Sequence, residues 1–110
     1  MANRITEILG IEKPIIQGPL AWLTNGRYAG SVSAAGGLGV LGVSAGQSTA
    51  ATTIEETVEN MRREIRNARE ITDKPIGLNV FPGAFENDPY TQPMLDLMVE
   101  EKVPVVVMVG

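Results

Sequence analysis

The sequence alternates short apolar segments with longer amphipathic ones, and this alternation restricts the fold more than any other feature. Four runs rich in β-branched and other apolar residues, each bounded by Gly or Pro, lie at 14–18 (PIIQG), 38–43 (LGVLGV), 76–81 (IGLNVF) and 103–110 (VPVVVMVG). Each run is short and almost continuously apolar, which is typical of strands covered on both faces. The runs therefore predict a parallel β-sheet packed against helices.

The clearest helical pattern covers residues 54–71, between the second and third runs. Apolar residues recur there every three or four positions, and most charged residues fall on the other side. Thr53 precedes the pattern and Glu56 follows three residues later, which predicts a capping box at the helix start. Within 61–69 the basic residues alternate with Glu64 and apolar residues, as on a solvated helix face.

Two further helices complete the pattern. One is predicted over 26–35, with Thr24 or Asn25 as its N-cap and a Gly-Gly pair as its end, where Gly37 adopts the left-handed conformation. The other is predicted over 93–101 and begins at a proline, which suits a first helical position. The predicted order is β-α-β-α-β-α-β within one α/β domain covering residues 1–110.

Three glycines in and directly before the second run have the spacing of a dinucleotide-binding turn. Gly37, Gly39 and Gly42 read G-x-G-x-x-G, but such a turn follows a strand and opens a helix. Here the helix comes first and 38–43 is itself the strand, so the motif does not predict a Rossmann fold. Gly39 and Gly42 instead allow a close approach, either of neighbouring backbone or of a flat ligand. Both interpretations stay open at this level.

Composition excludes several classes of site. The chain has no cysteine and no histidine, so a thiolate metal site, a cysteine nucleophile and the commonest general base are all absent. The net charge is −4, and no basic patch favours a nucleic-acid or anionic-membrane partner. No segment approaches the roughly 20 apolar residues of a membrane span, and the N-terminus lacks the apolar region of a signal peptide. A soluble, cytoplasmic protein without a metal site is the expectation.

The connections predict where a ligand binds. Those from helix to strand are short, and those from strand to helix are long. In parallel α/β folds ligands bind at the carboxyl ends of the strands, where the long connections gather. We therefore predict a site floored by Gln17, Gly18, residues 42–44 and Asn79.

Individual side chains at this face carry unequal signals. Asn79 places an amide in an apolar strand, either to satisfy neighbouring backbone groups or to contact a planar heterocycle, and its position near the strand end favours the second reading. Gln17 is a weaker candidate of the same kind, and Trp22 is expected to anchor the first loop. Glu86 and Asp88 are expected to be solvated, and nothing pairs them as an acid and base.

Three segments resemble a known family. KPIIQGPLAW (13–22), AGSVSAAGGLGVLG (29–42) and TDKPIGLNVF (72–81) are similar to the N-terminal half of the nitronate monooxygenases, once called 2-nitropropane dioxygenases. The flavin-dependent enoyl-ACP reductases share the same segments, so the resemblance does not separate the two activities. It covers nearly the whole chain.

The resemblance implies a TIM barrel that holds FMN at its C-terminal face. The loop formed by Gln17, Gly18, Pro19 and Leu20 would run along the flavin ring through its backbone, and Asn79 would form a hydrogen bond with the flavin. Leu20 departs from the family, which usually has methionine there. The implied reaction is the oxidation of small alkyl nitronates with oxygen, or, as the alternative, the reduction of enoyl-ACP with NAD(P)H.

Length limits what this chain can do under that resemblance. A (β/α)₈ barrel needs on the order of 250 residues, whereas this sequence has 110 and ends with the fourth predicted strand. The expectation is therefore the first half of a barrel, truncated after strand 4, with the family's catalytic histidine outside it and no catalytic residue within it. The alternatives are a non-catalytic α/β fragment or binding module, and a homo-oligomer that pairs copies edge to edge.

Overall fold

The computed structural model of the chain describes residues 3–47, 51–80 and 89–108 as helices packed on a parallel sheet. The elements in chain order are α1 (Arg4–Leu9), α2 (Gly26–Ala34), β1 (Gly39–Leu41), α3 (Ile54–Ile71), β2 (Ile76–Val80), α4 (Thr91–Glu100) and β3 (Val105–Met108). From α2 onward, this order confirms the predicted alternation of helix and strand.

The sheet has its three strands in chain order, β1-β2-β3, and all pairs are parallel. Leu41 aligns with Leu78, and Leu78 aligns with Val106. The strands are shorter than the apolar runs predicted, with three residues in β1 and four in β3. Phe81 and residues 109–110, predicted to extend the third and fourth strands, lie outside the described residues.

The prediction of a full first strand over 14–18 is wrong, because this segment forms only an isolated parallel bridge between Ile16 and Leu38. The next rung of a parallel ladder would need an N–H from residue 19, and Pro19 has none. Val40 donates its N–H to the side-chain Oε1 of Gln17 at 3.0 Å instead of to a backbone carbonyl. The ladder therefore stops, and the chain leaves the sheet at residue 18.

The helices cover one face of the sheet. Leu41, Ile76, Leu78 and Val80 belong to a single buried cluster with residues of α2, α3 and α4. The helix and connecting residues of that cluster are Ala29, Ala45, Met61, Ile65, Ala68, Met94, Leu97, Met98 and Val103. Side chains alternate between faces along a strand, so Asn79 lies on the opposite face from the helices.

Helix α3 has the bounds predicted from its apolar stripe. Thr53 is the N-cap, and its hydroxyl accepts from the Glu56 N–H at 3.0 Å. The predicted capping box is only half formed, because the Glu56 carboxylate accepts from the N–H and hydroxyl of Thr52 rather than from Thr53. Thr52 offers the carboxylate two donors, its N–H and its hydroxyl, and this favours the contact with Thr52 over the full capping box.

The start of α2 decides between the two residues predicted as its N-cap, and its end corrects the predicted left-handed glycine. Asn25 is the cap, with its Oδ1 accepting from the Tyr28 N–H at 2.9 Å, whereas Thr24 has another role described below. The prediction of a left-handed Gly37 is wrong, since Gly36 takes the positive φ of +106°. The helix ends one residue earlier than predicted, so the left-handed position moves with it.

Two helix starts differ from the sequence-based prediction. Helix α4 begins at Thr91, two residues before the predicted start, and Pro93 still lies in the first turn where no N–H partner is needed. Helix α1 was not predicted from its pattern, because six residues carry little periodicity. It is capped reciprocally by Asn3 and Thr6, each side chain bonding the other's backbone N–H.

Glu64 is buried, which corrects its interpretation as part of a solvated face. Its exposed fraction is 6%, and its carboxylate accepts from the Gly26 N–H at the start of α2 at 2.9 Å. Gly26 and Gly46 pack closely against Glu64, because an added Cβ at either glycine would lie under 3 Å from a Glu64 atom. A carboxylate at a helix N-terminus is favourable in both its hydrogen bonding and its interaction with the helix dipole.

We expect Glu64→Ala to lower the free energy of unfolding by about 1–3 kcal/mol, because it leaves a buried N–H at α2 without an acceptor. Glu64→Gln keeps an oxygen at the same place and is expected to cost less. Urea denaturation followed by circular dichroism measures both variants. Equal losses for the two would contradict the capping role of the carboxylate oxygen.

Candidate functional site

Asn79 is a polar residue that the sheet buries near the carboxyl end of β2. Its exposed fraction is 7%, and its Oδ1 has no hydrogen-bond partner among the residues that the structure describes. Leaving such an acceptor unpaired costs roughly 1–3 kcal/mol, so folded proteins retain few of them. The oxygen does not satisfy neighbouring backbone groups, and it is available to accept a hydrogen bond from a ligand.

The side-chain amide of Gln17 is used within the protein. Its Oε1 accepts from Val40, while its Nε2 donates to the carbonyl oxygen of Gly18 at 2.7 Å and to the hydroxyl of Thr24 at 3.4 Å. These contacts replace a rung of the sheet and close the turn that follows. Gln17 therefore acts on the site through the shape of the loop rather than through a free amide.

The first loop, residues 17–24, leaves few of its backbone groups free. The N–H of Leu20 donates to the hydroxyl of Thr24 at 2.8 Å, and the carbonyl of Leu20 accepts from the N–H of Thr24 at 3.0 Å. Pro19 has no N–H. Within the parts of the chain that the structure describes, Gly18 has no acceptor for its N–H and has open space beside its Cα. Gly18 is therefore the donor that the Gln17–Leu20 segment can offer to a ligand.

Gly42 brings the first loop to the face of the sheet that carries Asn79. Gly42 directly follows Leu41, which aligns with Leu78, the residue before Asn79. An added Cβ at Gly42 would lie 2.4 Å from the carbonyl oxygen of Leu20. Of the two interpretations left open for Gly42, the close approach of neighbouring backbone is the one observed.

The first loop and the loop that follows β1 are joined by backbone hydrogen bonds. The N–H of Trp22 donates to the carbonyl of Val43 at 2.9 Å, and the N–H of Gly46 donates to the carbonyl of Trp22 at 3.1 Å. Trp22 and Ser44 both adopt positive φ, +70° and +57°, which is unfavourable for residues with a side chain. Trp22 thus anchors the first loop through its backbone, while 42% of the residue remains exposed.

A second unpartnered oxygen was not predicted from the sequence. The Oε1 of Gln47, in the loop after β1, is buried without a hydrogen-bond partner. Among the described residues, Gln47 and Asn79 are the two with such an atom. Asn79 is the penultimate residue of β2, and Gln47 lies six residues after the end of β1. The burial of Gln47 depends on residues distant along the chain, so no local pattern identified it, whereas Asn79 was predicted as a site residue from its place in an apolar strand.

The chemistry available at this face is that of binding. It combines the carboxamide oxygen of Asn79, the backbone N–H of Gly18 and the exposed apolar side chains of Leu20 and Trp22. The chain has no histidine, and in the described ranges no group of three acidic residues is placed to hold a metal ion. Glu86 and Asp88 lie outside those ranges. The arrangement suits a planar ligand with polar edges.

Comparison with known families gives a match over almost the entire chain. The profile described as nitronate monooxygenase matches residues 2–107. A nitronate monooxygenase of Paraburkholderia phytofirmans is 45% identical over 74 residues, which cover 67% of this chain and 18% of that protein. A nitronate monooxygenase of Pseudomonas aeruginosa is 37% identical over 81 residues, covering 74% of this chain and 20% of that protein. This chain therefore matches about a fifth of the length of these curated relatives.

A solved structure shows the same fold. FabK from Thermotoga maritima superposes with a TM-score of 0.78 and 33% identity, covering 100% of this chain and 31% of that protein. The described sheet and helices therefore correspond to about a third of a larger α/β enzyme structure.

Proposed function

Because the chain belongs to the nitronate monooxygenase family, we propose that it forms the first βα units of a TIM barrel that binds FMN and oxidises alkyl nitronates with molecular oxygen. The parallel sheet in chain order, with helices on one face and Asn79 on the other, supports the barrel. The remaining units would close the barrel around the face that carries Asn79.

The observation that carries the cofactor proposal is the unpartnered Oδ1 of Asn79. A flavin presents a ring N–H donor and several acceptors along the edge of a flat apolar surface, which fits the groups of the site. Asn79 would accept from the ring, Gly18 would donate to it, and Pro19 and Leu20 would contact its plane. Gln17 would hold the loop in place. When bound, the flavin would supply the electron-accepting ring that none of these side chains provides.

The residues proposed for this site would bind the cofactor and would not transfer protons. A general base must lie within hydrogen-bond reach of the substrate and have a pKa near the working pH. No histidine is present in the chain. We propose no catalytic residue among residues 1–110.

The reduction of an enoyl thioester by NAD(P)H is the second candidate. It rests on the likeness to FabK, whose structure covers the whole of this chain, and on the sequence resemblance to the flavin-dependent enoyl-ACP reductases. Both candidates use the same flavin site. They differ in the substrate that approaches it.

One pair of assays separates the candidates. The purified protein, titrated with FMN, is expected to quench flavin fluorescence and to shift the flavin absorbance. Because no catalytic residue is proposed among residues 1–110, turnover is tested on the flavin-loaded protein that contains all units of the barrel. That protein is expected to consume oxygen when given a primary alkyl nitronate, and to leave NADH and NADPH unoxidised when given crotonyl thioester. NAD(P)H oxidation with the thioester and no oxygen uptake with the nitronate would favour the reductase. Absence of FMN binding would favour the remaining alternative, a non-catalytic α/β fragment or binding module.

Basic residues of α3 form ion pairs within the protein, which argues against nucleic acid as a partner. Arg62 pairs with Glu100 at 2.8 Å and Arg66 pairs with Glu101 at 3.1 Å, so these charges join α3 to α4. In the described ranges, no helix is both long and apolar enough to span a membrane. We propose a cytoplasmic enzyme acting on a small-molecule substrate. Cell fractionation tests the location, and a sizing column tests whether copies associate.

A further inference from the structure

Thr24 joins three parts of the candidate site although its side chain is almost entirely buried. Its exposed fraction is 1%. Its hydroxyl accepts from the N–H of Leu20 at 2.8 Å and from the Nε2 of Gln17 at 3.4 Å. Its backbone N–H donates to Leu20, and its carbonyl accepts from Gly42 at 3.1 Å. One residue therefore connects both ends of the first loop to Gly42, directly after strand β1.

The hydroxyl has a task that the backbone of Thr24 cannot perform. The two backbone bonds of Thr24 persist with any side chain at this position, but the N–H of Leu20 has no acceptor other than the hydroxyl within the described residues. Without the hydroxyl, the Leu20 N–H would compete for an acceptor that a ligand's donor uses, or the peptide plane between Pro19 and Leu20 would rotate. The hydroxyl thus fixes the segment in which Gly18 keeps its N–H free.

We propose that Thr24 is a positioning residue for the cofactor, whose hydroxyl holds residues 17–20 in the conformation that receives the flavin ring. This inference rests on the proposed function for the identity of the ligand. Thr24 does not contact the ring in this arrangement; it acts through Leu20 and Gln17. A loop held in its bound conformation before binding saves the cost of ordering it on binding.

The test compares two substitutions at Thr24 with a matched control. Thr24→Val keeps the shape and removes the acceptor, whereas Thr24→Ser keeps the hydroxyl. Ser33→Ala is the control, because Ser33 is also fully buried and its hydroxyl accepts from a backbone N–H, that of Gly39 at 2.9 Å, away from the loop. The three variants lose or keep the same type of hydrogen bond at two different places.

We expect Thr24→Val to raise the Kd for FMN about tenfold, which corresponds in free energy to the loss of one neutral hydrogen bond. The Kd values of the other two variants are expected to stay within about threefold of the wild type. In the protein without flavin, hydrogen exchange at the Leu20 amide is expected to be at least about tenfold faster in Thr24→Val and unchanged in Thr24→Ser. Ser33→Ala is expected to accelerate exchange at Gly39 instead.

Two results would overturn the inference. In a protein that binds FMN, an unchanged Kd in Thr24→Val would show that the hydroxyl does not position the loop for the cofactor. An equal loss in Ser33→Ala would assign the effect to general destabilisation. If the wild-type protein binds no FMN, the proposed function fails and the role of Thr24 toward the cofactor fails with it. The wild-type titration therefore distinguishes the two failures.

Discussion

Replacing Gly39 by alanine is expected to lower the free energy of unfolding by about 3 kcal/mol or more, enough to unfold much of the protein if its stability is at the low end of the usual range. An added Cβ would lie 1.9 Å from the carbonyl oxygen of Ala29 and 2.7 Å from its Cα. Those atoms belong to the backbone of α2, so no side-chain rotation relieves the clash. The whole helix would have to move away from β1.

Gly18→Ala is the control for this prediction, because nothing lies within 4 Å of an added Cβ there. We expect it to change the free energy of unfolding by less than about 0.5 kcal/mol. Urea denaturation followed by circular dichroism gives both values. A loss below about 1 kcal/mol for Gly39→Ala would contradict the packing of α2 against β1.

Replacing Asn79 by leucine is expected to change stability and cofactor binding in opposite directions. Leucine has the same branched arrangement of side-chain heavy atoms and no polar atom to leave unpaired, so the protein without flavin should unfold at an equal or higher urea concentration. Binding of FMN should weaken at least about tenfold, because the acceptor Oδ1 is gone. Fluorescence titration and urea denaturation of the same preparations measure the two effects.

Asn67→Leu provides the comparison on the other side of the molecule, since Asn67 is exposed on α3. It should leave FMN binding unchanged. A large loss of stability in Asn79→Leu would show that the amide serves the fold, which the unpartnered oxygen argues against. Unchanged FMN affinity would remove Asn79 from the proposed site.

Much of the architecture could be predicted because it depends on local patterns. The apolar stripe and the Thr53 cap were sufficient for both ends of α3, and the apolar runs indicated a parallel sheet. The difference in loop lengths indicated the carboxyl end of the sheet as the ligand face, where the unpartnered oxygen of Asn79 lies. The rejection of a Rossmann turn also followed from order along the chain, since β1 starts after the glycine that ends α2.

The roles of the glycines could not be separated in the same way. Gly39 begins β1 and Gly42 directly follows it, yet Gly39 accommodates α2 and Gly42 accommodates the first loop. Both contacts depend on which element crosses the strand at that point. A pattern of glycines shows that something approaches closely and does not show what approaches.

The sequence by itself determined the class of fold, the α3 boundaries and the position of Asn79 near a strand end, because each depends on residues close together along the chain. Only the tertiary structure decided that the first run stops at a single bridge, that Glu64 caps α2 and that Thr24 holds the first loop. Glu64 and Gly26 are 38 residues apart, and no local sequence pattern relates residues at that separation. Contacts of that separation form only when the helices have packed on the sheet, and the hydrogen bonds of buried groups are completed there.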